Sequence, residues 1–187
     1  MSGLIIEVLP GAGHALVVGG GTVAARKVRN LEASQFSVTV IAPVVLEEIR
    51  LAPHVTVFER EYREGDVALG VGFSLVFACT DSREVNRAVG LAARGRGIPV
   101  LVADRQAEST FFTPAVLRDG DLAIAVSTGG ASPTLARVIR ERIVGALGPG
   151  WSRVLRTARA EREERLARGA HGERQGLGES PAELADD

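Results

Sequence analysis

The chain contains 187 residues, of which 45% are hydrophobic and 24% are charged, so it can build a globular core and is not disordered as a whole. Its 22 basic and 23 acidic residues give a formal net charge of -1, which provides no overall basic field to attract nucleic acid. Cys79 is the single cysteine, which excludes an intrachain disulfide and a zinc site built on several thiolates.

Short apolar runs rich in β-branched residues alternate with helical patterns as far as Asp104. The runs predict strands over residues 15–18, 37–41, 55–58, 74–79 and 98–103. A helical pattern begins at Thr22, and Asp81 with Glu84 forms a capping box for a second helix. Strands that alternate with helices predict a parallel sheet covered on both faces, a Rossmann-like doubly wound α/β fold with right-handed crossovers.

A different pattern follows Asp104. Asp119-Gly120 stands between two apolar runs and predicts a β-hairpin. Ser132 and Pro133 suit the N-cap and the first turn of a following helix. That helix is predicted to reach Leu147.

These patterns divide the chain into three parts. Residues 1–112 hold the predicted parallel sheet, and residues 113–147 hold the hairpin and its helix as a small α+β region. Residues 148–187 predict a short C-terminal helix and then, over residues 170–187, a disordered tail. No apolar run reaches about 18 residues and the N-terminus lacks the basic start of a signal peptide, so we expect a cytoplasmic protein without a membrane span.

Gly19, Gly20 and Gly21 follow the first predicted strand, and with Ala24 they fit the pattern G-x-G-x-x-A. Between a strand and a helix, the first glycine of this pattern permits the tight turn and the second lets the backbone approach a pyrophosphate. The helix N-terminus then offers free N–H groups to the phosphates. The motif predicts a dinucleotide site, although the same glycines suit a tight turn in a sheet protein that binds another ligand.

Ligands of such sheets lie beyond the carboxyl ends of the strands. The residues at those ends are Gly19, Gly20, Gly21, Ala42, Pro43, Val44, Thr80, Asp81 and Asp104. The second strand ends without the carboxylate that would bind ribose hydroxyls and without an arginine for a 2′-phosphate, so adenosine recognition would use backbone groups around Pro43 and Val44. These residues leave NAD and NADP undecided. Asp104 stands near the expected nicotinamide position, where a carboxylate could accept protons, bind a metal or only cap a turn.

Other polar residues carry weaker signals. Ser127, Thr128 and Gly129 precede the helix that Pro133 opens, where they could bind an anion or only cap the helix. The three histidines show no metal-ligand spacing with one another or with Cys79. The absence of a Ser-His-Asp or Cys-His set disfavours hydrolase chemistry.

Four strings, in their order and spacing, together resemble a known family. They are Val17–Lys27, Ala78–Asn86, Asp104 with Ser109–Ala115, and Ala125–Arg137. Over residues 12–147 the chain is similar to the sirohaem synthase N-terminal family. That family comprises precorrin-2 dehydrogenases, some of which are also sirohydrochlorin ferrochelatases.

The resemblance implies a homodimer with an NAD-binding Rossmann domain, a dimerisation region over residues 113–147 and a helical C-terminal part. It implies NAD contacts at Thr22, Val23, Pro43 and Val44, and it makes Asp104 the catalytic carboxylate. The implied reaction is the NAD-dependent oxidation of precorrin-2 to sirohydrochlorin. Bifunctional members then insert Fe²⁺, for which Asp104 would be a transient ligand and not part of a permanent metal site.

The tetrapyrrole implied by the resemblance carries many carboxylates, so its cleft needs cations although the whole chain is nearly neutral. The candidates for substrate binding are Arg26, Lys27, Arg29, Arg118, Arg137 and Arg140, with the loop Ser127, Thr128 and Gly129. Thr128 stands where some members carry a phosphorylatable serine, so phosphorylation control is not expected. The short C-terminal part makes metal insertion a weaker expectation than oxidation.

Two other functions fit part of the pattern. The first is a regulatory domain that binds NAD(H) and changes its assembly without turnover. Such domains usually keep the ribose carboxylate, which this chain lacks after its second strand. The second is a Rossmann dehydrogenase for a small metabolite, but no histidine or lysine stands near the fifth strand to serve it.

Overall fold

The structure, a computed structural model, describes residues 3–9, 11, 13–69 and 72–169. The chain forms two compact units, Met1–Phe112 and Thr113–Asp187. The predicted tail over residues 170–187 lies outside the described residues. In the part of the chain that is described, no helix is long and apolar enough to cross a membrane.

The first unit is built on a five-stranded parallel sheet in the order β3-β2-β1-β4-β5. Its strands are β1 (His14–Val18), β2 (Ser37–Ala42), β3 (Val55–Glu59), β4 (Phe73–Ala78) and β5 (Val100–Val102). The chain leaves β1 toward β3 on one side and returns to place β4 on the other side, so the topological switch point lies between β1 and β4. The predicted Rossmann-like sheet is confirmed.

Two helices cover opposite faces of this sheet. Val28 of α1 (Thr22–Glu32) packs in one apolar cluster, and Val89 of α3 (Arg83–Gly95) packs in a second cluster that contains different strand residues. A short helix, α2 (Glu47–Arg50), follows β2. Because both faces are covered, the central strands are apolar on both sides, which explains their uninterrupted hydrophobic runs.

Helix α3 begins one residue later than the predicted capping box. The Oγ of Ser82 accepts a hydrogen bond from the Val85 amide at 3.3 Å, whereas Asp81 is exposed. The Thr80 hydroxyl oxygen lies 3.0 Å from the Ser82 carbonyl oxygen, where the chain turns into the helix. The prediction that Asp81 is the N-cap was therefore wrong.

The strand register brings the carboxyl ends of the central strands level. Val18 of β1 lies opposite Ala78 of β4, and Ala78 lies opposite Val102 of β5. Gly19 follows the first of these strands directly, and Asp104 follows the last one two residues later. The predicted site residues that follow these strands therefore share one edge of the sheet.

The second unit contains an antiparallel hairpin, β6 (Ala115–Asp119) with β7 (Leu122–Val126), and the helices α4 (Pro133–Leu147) and α5 (Trp151–Ala167). The hairpin is present, but its turn is Gly120-Asp121, one residue later than predicted, because Asp119 pairs with Leu122. The Asp119 carboxylate accepts a hydrogen bond from the Ser152 amide at the start of α5. Among the described residues of this unit, Ala136 is the one buried hydrophobic residue.

Candidate functional site

The glycine turn lies at the switch point of the sheet. Gly19 has a φ of +126°, and a Cβ there would lie 2.4 Å from the carbonyl oxygen of Cys79. A Cβ on Gly20 would lie 2.0 Å from the carbonyl oxygen of Val44. Both positions exclude a side chain because Gly19 packs against the loop that follows β4 and Gly20 packs against the loop that follows β2. The requirement at Gly20 is absent from the sequence motif, where this position is variable.

Gly21 faces open space. Its φ of −85° suits any residue, and a Cβ there would meet no heavy atom within 4 Å. It is the N-cap of α1, with no side-chain hydrogen bond to the helix end and no acidic residue in the first turn. Because a helix N-terminus presents N–H groups and partial positive charge, this space fits an anionic group such as a pyrophosphate. Cofactor contacts at Thr22 and Val23 stay a prediction.

The loop after β2 forms the neighbouring wall. Ala42 is buried, whereas Pro43 is exposed and Val44 is 76% exposed. The Leu46 amide donates to the Gly20 carbonyl at 3.0 Å, which holds this loop against the glycine turn. The segment from Ala42 to Leu46 contains no carboxylate, so recognition of a ribose there would depend on its backbone.

The buried side-chain amide of Asn86 joins the loop after β4 to Asp104, which follows β5. Asn86 of α3 is 1% exposed. Its Oδ1 accepts from the Thr80 amide at 3.0 Å and from the Thr80 hydroxyl at 2.8 Å. Its Nδ2 donates to the Thr80 carbonyl and to Oδ1 of Asp104, both at 2.9 Å. The sequence interpretation gave Asn86 no role, although it occupies the helical spacing of buried Val89 and Ala93.

Asp104 presents a partly exposed carboxylate at this edge of the sheet. Its side chain is 35% exposed, and Nη1 of Arg83 lies 3.6 Å from its Oδ2. Arg83 also pairs with Glu108 through Nη2. Asp104 is thus held by one neutral donor and one cation from α3 while part of its surface faces solvent. A carboxylate in this setting can exchange a proton with a bound molecule.

Lys27 and Cys79 are both buried in the first unit. Lys27 is 8% exposed, and its Nζ lies 5.8 Å from the centre of the Phe77 ring. Burial lowers the pKa of Lys27. Burial also raises the pKa of the Cys79 thiol to about 11. A role for Lys27 in substrate binding stays a prediction, and the structure places its ammonium against an aromatic ring of the core.

The Cys79 thiol is expected to resist alkylation in the folded protein. At pH 8 a pKa of about 11 leaves about a thousandth of this thiol as thiolate, and the side chain is buried. Iodoacetamide should therefore label the native chain at least about 100-fold more slowly than the chain unfolded in guanidinium. Mass spectrometry of timed reactions measures both rates, because Cys79 is the single cysteine. Equal rates would contradict the burial.

The other cations of the first helix are exposed. Arg26 lies on the exposed side of α1, and Arg29 pairs with Glu48 at 2.8 Å. Both arginines remain accessible to a soluble anion, although an exposed ion pair of this kind contributes little stability. Their contact with substrate stays a prediction.

The second unit contains the remaining candidates. The hydroxyl of Thr128 accepts from the Ser132 amide and donates to the Ser132 carbonyl, both at 3.1 Å, and Gly129 has a φ of +61°. The Oγ of Ser132 accepts from the Leu135 amide, which confirms Ser132 as the N-cap of α4. Thr128 therefore shapes the loop before α4. The site assignments in this unit, at Arg118, Ser127, Thr128, Gly129, Arg137 and Arg140, stay predictions.

Metal-ligating side chains are not clustered. In the described residues, no group of three or more His, Cys, Asp or Glu side chains could hold a metal ion.

Two family models match the chain. An NAD(P)-binding family model matches residues 11–115. A model of the central region of sirohaem biosynthesis proteins matches residues 119–146. The first match covers more than half of the chain, and the second lies within the second compact unit.

Individual relatives agree with these models. The chain is 41% identical over 155 residues to the sirohaem synthase of Methylobacillus flagellatus, covering 79% of the chain and 32% of that relative. It is 39% identical over 162 residues to the sirohaem synthase of Gluconacetobacter diazotrophicus, covering 81% of the chain and 33% of that relative. The chain thus spans about a third of the length of these relatives.

A solved structure shares the fold over most of its length. The chain matches SirC, a precorrin-2 dehydrogenase, with a TM-score of 0.65 and 25% sequence identity. The match covers 83% of this chain and 76% of SirC. The similarity therefore extends well beyond the glycine motif.

Proposed function

The chain belongs to the NAD(P)-binding family of sirohaem biosynthesis proteins, and from this premise we propose that it oxidises precorrin-2 to sirohydrochlorin with NAD. Similarity to SirC over most of both chains supports this reaction. The structural observation that carries the proposal is Asp104. It is a partly exposed carboxylate at the same sheet edge as an open helix N-terminus suited to a dinucleotide.

The first unit has the features that a dinucleotide needs. NAD, when bound, supplies the acceptor for the hydride that leaves the substrate. We propose that the N–H groups at Gly21, Thr22 and Val23 bind its pyrophosphate, because the space before α1 is open and unopposed by acidic side chains. The exposed backbone of Pro43 and Val44 would bind the adenosine. Thr80 and Asp81 at the end of β4 would border the nicotinamide half.

Asp104 is the proton acceptor in this proposal. Oxidation of the macrocycle releases a proton together with each hydride, so a base must stand beside the reacting ring. The Asp104 carboxylate is reachable from solvent and is fixed through hydrogen bonding to Asn86. Exposed arginines of the first unit, such as Arg26, would pair with substrate carboxylates.

We further propose that Fe²⁺ enters as a second substrate and not as a resident metal. A single accessible carboxylate can hold a ferrous ion briefly or accept the pyrrole protons that metal insertion releases. Asp104 is the carboxylate at the proposed site that has this accessibility. The oxidation and the metal insertion are separate expectations, and each has its own optical signal.

The second unit supports a homodimer. A two-stranded sheet is marginally stable by itself, and Ala136 is the one buried hydrophobic residue among the described residues of this unit. One face of helix α4 exposes large apolar side chains at Leu135, Val138 and Ile139, each at least 37% exposed. We propose that a second copy of the chain covers this face, as the family resemblance implies.

Val138→Asp is expected to convert the dimer to a monomer, because it places a charge in the middle of the exposed apolar face of α4. Arg162→Gln is the matched control, since it makes the same change in net charge at an exposed position of α5, the other helix of this unit. Sedimentation velocity at micromolar concentration measures both variants. A wild-type monomer, or a dimer that persists in Val138→Asp, would contradict the assigned face.

An anaerobic absorbance assay tests the proposed function. The protein is mixed with enzymatically made precorrin-2 and NAD, and Fe²⁺ is added afterwards. Formation of sirohydrochlorin with NADH establishes the oxidation, and an enzyme-dependent change to sirohaem establishes the metal insertion. Binding of NAD without any turnover by the folded protein would instead favour an NAD(H)-sensing domain.

A further inference from the structure

Asn86 has an unusual position for a polar side chain. It is 1% exposed and lies on the face of α3 that carries Val89 and Ala93 into the core. A buried amide is costly unless its donors and acceptors are all satisfied. The two atoms of this amide make four hydrogen bonds, which is the full capacity of an asparagine side chain.

The backbone fixes which way the amide points. The Thr80 amide N–H can act only as a donor, so the atom that faces it must be Oδ1 of Asn86. The other end is therefore the NH₂ group, which faces the Thr80 carbonyl and Oδ1 of Asp104. The hydrogen bond to Asp104 thus has a defined direction, from amide to carboxylate.

The first turn of α3 holds Asp104 from both sides. Asn86 donates to Oδ1, and Arg83, three residues earlier on the helix, places Nη1 3.6 Å from Oδ2. Two hydrogen bonds fix this turn. The Ser82 hydroxyl caps the helix, and the backbone N–H of Asn86 donates to the Ser82 carbonyl at 3.0 Å. The carboxylate is therefore positioned by a rigid helix end and not by its own loop alone.

We propose that Asn86 is a positioning residue that fixes the Asp104 carboxylate for proton transfer and couples it to the Thr80 loop at the cofactor side of the sheet edge. This inference rests on the proposed function for the identity of the reaction. The physical reason is that a proton acceptor must stand within hydrogen-bond reach of its donor, so freeing the carboxylate to rotate removes the reactive geometry. Asn86 acts through Asp104 and is not itself a proton acceptor in this proposal.

Asn86→Asp is the sharpest variant because it keeps the side-chain shape and replaces the donor with an acceptor. The new carboxylate can still accept from Thr80, but it repels Asp104 across 2.9 Å unless a proton lies between them. We expect kcat to fall by about 30- to 300-fold while the dissociation constant of NAD changes by less than about threefold. The acid side of the pH–rate profile should also move to higher pH.

Two controls separate positioning from charge and from folding. Arg87→Gln makes the same net charge change on the exposed side of α3 and should leave both kcat and the pH profile unchanged. The charged groups that face Asp104 are Arg83 and, beyond it, Glu108, and neither is altered in any of these variants. Circular dichroism establishes folding, and if Asn86→Asp does not fold, Asn86→Ala replaces it in the same measurements.

A double-mutant cycle with Asp104→Asn decides whether Asn86 acts through Asp104. In the Asp104→Asn background, the change at Asn86 should lower the residual kcat by less than about threefold. A full effect there, or an unchanged kcat in the single variant, would overturn the proposal.

The inference can also be tested without turnover. Carbon-13 NMR follows the Asp104 carboxyl, assigned by its loss in Asp104→Asn, and its chemical shift at constant pH should change in Asn86→Asp and not in Arg87→Gln. An inactive wild type with this NMR shift would reject the proposed function and keep the Asn86–Asp104 linkage. An active wild type without the shift would reject the linkage alone.

Discussion

Asp104→Asn is expected to lower kcat for precorrin-2 oxidation by about 10²- to 10⁴-fold, the usual contribution of a positioned acid–base group. Asparagine keeps the shape of the side chain, and its Oδ1 can still accept from Asn86. It cannot accept a proton at neutral pH, so the chemical step loses its base while the sheet edge keeps its geometry. The dissociation constant of NAD, measured by fluorescence titration of NADH or by calorimetry, should change by less than about threefold.

Glu84→Gln serves as the control for this variant. It removes a carboxylate from the same helix end as Arg83, but Glu84 is exposed and forms no hydrogen bond with Asp104. Its turnover should equal that of the wild type. Full activity in Asp104→Asn would remove the catalytic assignment, and loss of NAD binding in that variant would mean that the residue acts in cofactor binding.

Alanine at Gly20 and alanine at Gly21 are expected to damage different properties. At Gly20 the new Cβ would lie 2.0 Å from the Val44 carbonyl oxygen, so backbone must move, and the free energy of unfolding should fall by about 3 kcal/mol. At Gly21 the new methyl meets no atom of the protein, so stability should change by less than about 0.5 kcal/mol. That methyl would occupy the space assigned to the pyrophosphate and raise the dissociation constant of NAD at least about tenfold.

The two glycine variants control for each other. Urea denaturation gives the free energy of unfolding, and calorimetry gives the affinity for NAD. If Gly21→Ala bound NAD as the wild type does, the open space before α1 would not be the pyrophosphate site. If Gly20→Ala were as stable as the wild type, the contact between the glycine turn and the loop after β2 would be wrong.

The sequence contained enough to predict the first unit because its signals are local. Apolar runs marked β1, β2 and β4, and the glycine motif marked the turn into α1. Element ends were less accurate where hydrogen bonds to a neighbouring element decide them. Strand β5 is shorter than its apolar run because the Ile98 amide closes the end of α3 by donating to the Ala93 carbonyl.

The amino-acid sequence by itself determined the fold class, the dinucleotide motif and the candidacy of Asp104, because each depends on residue type and spacing along the chain. Only the tertiary structure gave Asn86 its contacts, since they join residues 18 positions apart through a strand register that no local pattern encodes. The tertiary structure also distinguished Gly20, where packing leaves no room for a side chain, from Gly21, where a side chain would meet no heavy atom within 4 Å. Burial depends on what the rest of the chain places beside a residue, so the same reason explains the buried position of Lys27 on a helix whose two arginines are exposed.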